Sequence, residues 1–473
     1  MNTRWTASDL PPPTRREFLA RSGMGMGGLS LAALLGAEDG LAAMNPLAPR
    51  EPHFPAKAKH VIHIFAAGGP SQVDTWDPKP ELSRLAGKEV PGMEGVGFAS
   101  PFQFRRCGQS GIEVSELFPK LGEHVDEMAV IRSLWTDIPD HGIASRFLHT
   151  GATQLPRPSL GSWVLYGLGN ANQNMPGFIT LGGQPEWRQA SFLPGVFQGV
   201  NVNYSPTLKP EQMLTNIRSP FTPMTEQRRQ IDFAGQLNAL HSQRLHREPQ
   251  LEARIESFEM AFKMQTEATD AFDVFKESAA TRALYTSPRP ADMGVRGAAA
   301  PDQLGMKLLV ARRLVERGVR FVQVVHGSWD HHTDLERNLR QKANELDSPA
   351  AGLLTDLRQR GLLDKTLVIW GGEFGRTVVR DRNGNPGTGG GRDHNGHAAC
   401  AWMAGAGVKP GIVHGATDDF GARAVQDKMH IHDLHATILA LLGFDHTRLT
   451  WRYNGRDFRL TDNEGEVVKN LIA

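Results

Sequence analysis

Four short stretches hold most of the side chains able to do chemistry. They are "GGPSQVDTWDPKP" with Asp74 and Asp77, "HGSWDHHTD" with His326, Asp330, His331, His332 and Asp334, "EFGRT" with Glu373 and Arg376, and "GRDHNGH" with Asp393, His394 and His397. Carboxylates mixed with imidazoles suit zinc, manganese or iron, whereas carboxylates alone lean towards magnesium or calcium. The number of acids present would also neutralise two nearby cations. Taken singly, each residue has a plainer reading. Asp77 before Pro78 can shape a turn, His331 can be a solvated side chain, and Glu373 with Arg376 can be an ordinary salt bridge on a loop. What favours the metal reading is that the acids and histidines recur just beyond separate apolar runs.

Those runs are the elements that must position the chemistry. "TLVIW", Thr366 to Trp370, passes through two glycines into Glu373, and an unbroken apolar run of this kind fits a parallel strand covered on both faces. "HVIHIFAAGGP" reads as a strand followed by a glycine turn, and "MAVIRSL" and "GFITLGG" as further short strands. "KLLVARRLVERG" predicts a helix closed by Gly318 and leading into the strand "VRFVQVV". A helical stretch near 350–360, the apolar "AACAWMAG" and a final helix "DLHATILALLG" complete the pattern. Strands alternating with helices imply an α/β fold, a mainly parallel central sheet flanked by helices. Ligands of such sheets bind outside the carboxyl ends of the strands, so the four stretches are expected to meet at one edge. The segment from about 222 to 285, rich in Gln, Arg, Glu and Ala, predicts a helical insertion, and "NGNPGTGGGR" predicts a mobile loop.

Composition narrows the choices. The chain has 473 residues and a formal net charge of +1, which gives no reason to expect a nucleic-acid surface. Two cysteines, Cys107 and Cys400, are too few for a disulfide framework or a four-thiolate zinc site. The sequence has no G-x-S-x-G elbow, no H-E-x-x-H helix and no Walker lysine loop. Residues 1–43 have the order of an export signal: the pair Arg15–Arg16, a weakly apolar glycine-rich stretch, then small residues. The pair within "TRREFL" is similar to the twin-arginine class, which predicts a periplasmic or extracellular protein with residues 44–473 as its folded domain. No later segment approaches the roughly 20 apolar residues that cross a bilayer.

With these motifs in hand, the chain resembles an uncharacterised family of twin-arginine-exported bacterial proteins placed in the alkaline phosphatase and sulfatase superfamily. The resemblance is carried by "GGPSQVDTWDPKP", "RPSLGSWVLYGLG", "WDHH", "EFGRT", "GRDH", "GATDDFGARAV" and "DLHATILALLGFDH", from about residue 60 to the end. It implies an alkaline phosphatase/sulfatase-like fold. Glu373 then stands where relatives place a metal-binding aspartate, with Phe374 in place of their histidine. Aligning "ASRFLHTG" with the sulfatase nucleophile segment puts His141 near the position of their Cys, Ser or Thr. Ser145 and Thr150 are nearby hydroxyls.

The expected function is therefore a metal-dependent hydrolase of phosphate or sulfate esters. Asp74, Asp330, His332, Glu373, Asp393 and His394 are the expected ligands of a divalent metal, with zinc, manganese and calcium the candidates. His141 and Arg376 are the expected catalytic residues, Arg376 steadying the anionic group through paired hydrogen bonds. The alternative is a non-catalytic protein of the same fold that binds sulfated glycans or a cell-surface partner, because fold alone does not decide function.

Overall fold

The computed structural model describes residues 46–154, 156–205, 207–208, 213, 222–244, 262, 270–288, 303–381 and 390–473. The expected export segment, most of the glycine-rich loop and much of the expected helical insertion lie outside these residues. The apolar runs form strands β1 (His60–Ala66), β2 (Met128–Trp135), β3 (Phe178–Leu181), β4 (Val200–Asn201), β5 (Phe321–His326), β6 (Thr366–Gly371), β7 (Ala399–Ala404), β8 (Ile412–His414) and β9 (Met429–His430). They build one sheet in the order β8-β2-β7-β6-β1-β5-β3-β4, with β9 also beside β2. β1 pairs in parallel with β5 and β6, while β7 runs antiparallel to both β2 and β6. The expectation of a mainly parallel sheet flanked by helices is met.

The helices that cover it are α1 (His141–Thr150), α2 (Leu160–Leu168), α4 (Gln303–Glu316), α5 (Leu335–Gln359) and α6 (Ile431–Leu441), and α3 (Met224–Arg244) lies in the stretch expected as an insertion. Because strand side chains alternate between faces, Ile62, Ile64, Val368 and Trp370 pack with α4 and α5. Val61, Phe65, Leu367 and Ile369 pack with α1, α2 and α6 on the other side. Both faces are thus closed, which is why these strands read as continuous apolar runs.

Helix α5 is longer than the sequence suggested and passes through Pro349. Proline lacks the N–H that would bond the carbonyl four residues back. That carbonyl, on Glu345, accepts instead from Ser287 Oγ at 3.4 Å. No described helix is long and apolar enough to cross a membrane.

Candidate metal and active site

Strand direction explains why distant segments meet. The chain leaves β1, β2, β5 and β6 at one edge of the sheet and enters the antiparallel β7 at that same edge. Gly68, His141, Asp330 and Glu373 therefore come from the exits of four strands, and Asp393 and His394 from the approach to a fifth. Close approach of the β1 and β6 exits needs glycine. A Cβ on Gly372 would sit 2.3 Å from Pro70 Cδ, and one on Gly68 (φ +113°) 2.7 Å from the Asp330 backbone nitrogen. The segment after β5 is pinned by Trp329, fully buried against Trp370 and donating its backbone N–H to the Ala67 carbonyl. Ser328 (φ 69°) and Asp334 (φ 47°) bracket it in left-handed backbone, a conformation that only firm surroundings hold in non-glycine residues.

His141 opens α1 because Asp140 caps the helix, its carboxylate accepting from Ile143 N at 2.9 Å. The imidazole lies between two carboxylates. Nδ1 is 2.6 Å from Glu373 Oε1, and Nε2 is 3.3 Å from Asp330 Oδ1. Burial works against its charged form, but the hydrogen bonds to Asp330 and Glu373 prevail and raise it to about 9. Glu373 is buried, and its carboxylate also accepts from Gly68 N at 2.9 and 3.2 Å. Phe374 stacks on the His141 ring with centroids 4.8 Å apart.

Asp330 Oδ1 is where the side chains converge. It lies 2.9 Å from His332 Nε2, 3.4 Å from His394 Nε2 and in contact with Arg376 Nη2. Burial would raise this carboxyl, yet the hydrogen bond to His141 and the Arg376 charge hold it well below the usual carboxylate range. Each of the three histidines has its Nδ1 occupied elsewhere: Glu373 for His141, Asp381 at 2.5 Å for His332, and the Pro139 carbonyl at 2.8 Å for His394. A carbonyl only accepts, so His394 Nδ1 carries the proton and Nε2 of the neutral ring is a lone pair. His332 Nδ1 lies on the Asp381 carboxylate, while its Nε2 meets both Asp330 Oδ1, 2.9 Å away, and His394 Nε2. These two nitrogens face each other at 3.1 Å.

Such a pair repels unless a proton or a cation sits against both. Tying back Nδ1 while aiming Nε2 inward is how metal-ligating histidines are oriented. The three separations among His332 Nε2, His394 Nε2 and Asp330 Oδ1 are 2.9, 3.1 and 3.4 Å. A tetrahedral ion with bonds of about 2.0–2.1 Å has ligand edges of about 3.3 Å. Two overlapping groups have ligand atoms within 4.8 Å of one another: His141, Asp330 and His394, and His332, Asp393 and His394. The donor set thus fits a divalent transition metal.

The profile of the family described as "Protein of unknown function (DUF1501)" matches residues 58–472. The chain belongs to that family. No curated protein sequence matches it. Among solved structures, the DUF1501 chain is similar to Ps i-CgsB at 13% identity and a TM-score of 0.37, covering 82% of this chain and 72% of that one. The lipoteichoic acid synthase LtaP from Listeria monocytogenes matches at 9% identity and a TM-score of 0.34, covering 88% and 78%. Alkaline phosphatase from the Antarctic bacterium TAB5 matches at 10% identity and a TM-score of 0.29, covering 75% and 94%. The resemblance to this family read from the sequence is therefore met, and the relationship to solved phosphatase-type structures is loose.

In this DUF1501 chain the structure gathers His141, Asp330, His332, Glu373, Arg376, Asp393 and His394. Of the sequence-chosen residues, Asp74 stands apart, Glu373 is taken up by His141 and Gly68 N, and Arg376 lies at the site with its fork engaged by the protein. Asp74 is fully buried in an ion pair with Arg392, Nε to Oδ2 at 2.7 Å and Nη2 to Oδ1 at 3.1 Å, and takes a further bond from Ser71 Oγ. Arg376 directs Nε to the Gly69 carbonyl, Nη1 to the Arg392 carbonyl and Nη2 to the Gly68 carbonyl and Asp330. Its fork is thereby committed within the protein. His331 is buried rather than solvated, and burial, with the Arg376 charge adding to it, lowers it to about 4. Asp77 is likewise buried, accepting from Thr417 and paired with Lys79 at 3.1 Å. Ser145 and Thr150 sit in buried parts of α1, and Thr150 Oγ1 bonds back to the Arg146 carbonyl. Asp381, which orients His332, carried no signal in the sequence. It is placed by the strand-like pairing of Val379 with Gly97 and by its backbone bond to Gly391.

Proposed function

We propose that this chain is a metal-dependent hydrolase of phosphate or sulfate esters, with His332, His394, Asp330 and Asp393 as the metal ligands. The observation that carries the reading is the pair of imidazole nitrogens facing each other at 3.1 Å beside the Asp330 carboxylate. When bound, the metal would supply a Lewis acid for the ester oxygen and hydroxide near neutral pH. His141 holds and moves the proton at Nε2, the position that leaves it facing the site once Glu373 has taken Nδ1. Glu373 acts as its positioning residue. Arg376 fixes Asp330 and the Gly68–Gly69 turn, and Asp74 with Arg392 anchors the loop that bears Asp393 and His394. We also propose export by the twin-arginine route, for which the Arg15–Arg16 pair and the apolar stretch after it are the support.

The test begins with metal content per chain in protein lacking residues 1–43, by plasma mass spectrometry. Wild type is expected to hold about one or two divalent ions, and His394→Ala and Asp330→Asn to hold fewer. Aryl phosphates, phosphodiesters and aryl sulfates are then assayed with zinc, manganese and calcium. His141→Ala is expected to retain metal and lose turnover. Full metal content in both ligand variants would show the ligands to be misplaced. If metal-replete wild type cleaves no ester but binds sulfated glycans, the chain is a binding protein, a reading that the committed Arg376 fork and the histidine at the nucleophile position favour. For export, Arg15→Lys with Arg16→Lys should leave precursor in the cytoplasm, and unchanged delivery and cleavage would overturn that assignment.

A further inference from the structure

One cavity beside this site has a charged wall with no polar partner among the described residues. It encloses about 420 Å³ and is lined by Gly87, Val96, Phe98, Ser100, Pro101 and Arg380, among others. Its floor is fixed by backbone bonds, Phe98 N to the Val378 carbonyl and Arg380 N to the Val96 carbonyl, both at 2.9 Å. The Arg380 side chain is held over the Phe98 ring, with Cζ 4.8 Å from the centroid. Glycine at 390 makes room for this: a Cβ there would lie 2.7 Å from Arg380 Nη1. Among the described residues Arg380 has no side-chain hydrogen bond or ion pair, while the next residue, Asp381, orients the metal-site His332. Cavity and proposed metal site are therefore built on the two sides of one short segment, 379–381.

We propose that this cavity is a second subsite for the substrate, taking an anionic sugar ring next to the unit whose ester is cut. The inference rests on the hydrolase reading for the site it serves. The volume falls within the range of small-ligand pockets, roughly 300–1,000 Å³. The Phe98 ring is covered by Arg380 and Arg392, so the apolar wall left for the flat face of a pyranose is that of Val96, Ala99 and Pro101. One guanidinium suits a sulfate or phosphate on it. The subsite therefore selects substrates with a second anionic group.

The experiment measures equilibrium binding of chondroitin-type disaccharides, monosulfated and disulfated, by calorimetry. Metal per chain is read on the same samples. Wild type is expected to bind the disulfated form about ten-fold more tightly, the size of one charge-assisted contact. Arg380→Met should erase that preference, Phe98→Ala should weaken it by removing the ring that holds Arg380, and Arg380→Lys should restore part of it. A preference that survives Arg380→Met, or the absence of any binding by wild type, overturns the subsite. Because binding is read without turnover, an Arg380-dependent preference in protein that cleaves no ester would sink the hydrolase reading and leave the subsite standing.

Discussion

Asp74→Asn decides whether a buried carboxylate near the site is a ligand or a support. Both oxygens of Asp74 are held by Arg392, at 2.7 and 3.1 Å, and neither side chain is exposed to solvent. The amide keeps the volume but leaves the guanidinium without its counter-charge. Removing one partner of a buried pair costs about 3–5 kcal/mol, chiefly because the surviving charge stays desolvated. Arg392 retains a bond to the Thr377 carbonyl and a place over the Phe98 ring, which favours the lower end of that range. With an unfolding entropy of about 2.1 cal/mol/K per residue over the roughly 370 described residues, the melting temperature should fall by about 4–6 °C. Scanning calorimetry measures this, and metal per chain is determined on the same sample.

A supporting role predicts a lowered melting temperature with metal content unchanged. Arg392→Met should cost a similar amount, since it leaves Asp74 unpaired. The double change, Asp74→Leu with Arg392→Met, should cost less than the two single changes combined, because it removes both charges together. An Asp74→Asn protein that melts as wild type does but has lost its metal would refute the reasoning and restore Asp74 to the ligands.

Gly68→Ala should lower both stability and metal content, by about 1–3 kcal/mol in the first case, since its Cβ would press on the Asp330 and Trp329 backbone; thermal melts and metal analysis read both. In metal-free protein, His141 raised to about 9 contributes stability that is present below its ordinary value near 6.5 and lost as pH rises to 9. Glu373→Gln should move the His141 titration downward, as followed by NMR, and an unmoved titration would deny that Glu373 acts on it. Asp347 is pushed up to about 6 by burial, against bonds it accepts from the Lys120 and Leu121 backbone. Its ionisation therefore costs stability as pH rises from about 4 through 6. Asp347→Asn keeps an acceptor without charge and should stabilise by about 1–3 kcal/mol at pH 8, with little gain at pH 4, measured by urea unfolding.

The sheet was legible because its strands are buried on both faces, so apolar runs such as Thr366 to Trp370 stand out without any alternation to decode. Convergence of acids at the strand exits followed from parallel pairing alone. One stretch reached the edge by another route: Asp393 and His394 precede the antiparallel β7, and entering a strand there is geometrically equivalent to leaving a parallel one. The first half of α5 was hidden by Pro349, which reads as a helix boundary until the Ser287 hydroxyl is seen on the freed carbonyl.

What spacing could not reveal is which of several neighbouring charged side chains turns inward to support and which faces the site. Arg392 and Asp393 are adjacent, yet one is fully buried on Asp74 and the other has its side chain half exposed beside His332. Asp74 and Asp330 each follow a strand, yet only Asp330 meets imidazole nitrogens. The difference lies in who arrives from elsewhere. A guanidinium reaching Asp74 neutralises it within the fold, whereas Asp330 receives one arm of Arg376 and three histidines whose other nitrogens are already tied back. A carboxylate satisfied by a buried arginine has no remaining need for a cation. Two imidazole nitrogens held face to face beside Asp330 are where a cation would fit, and that contrast supports the proposed ligand set.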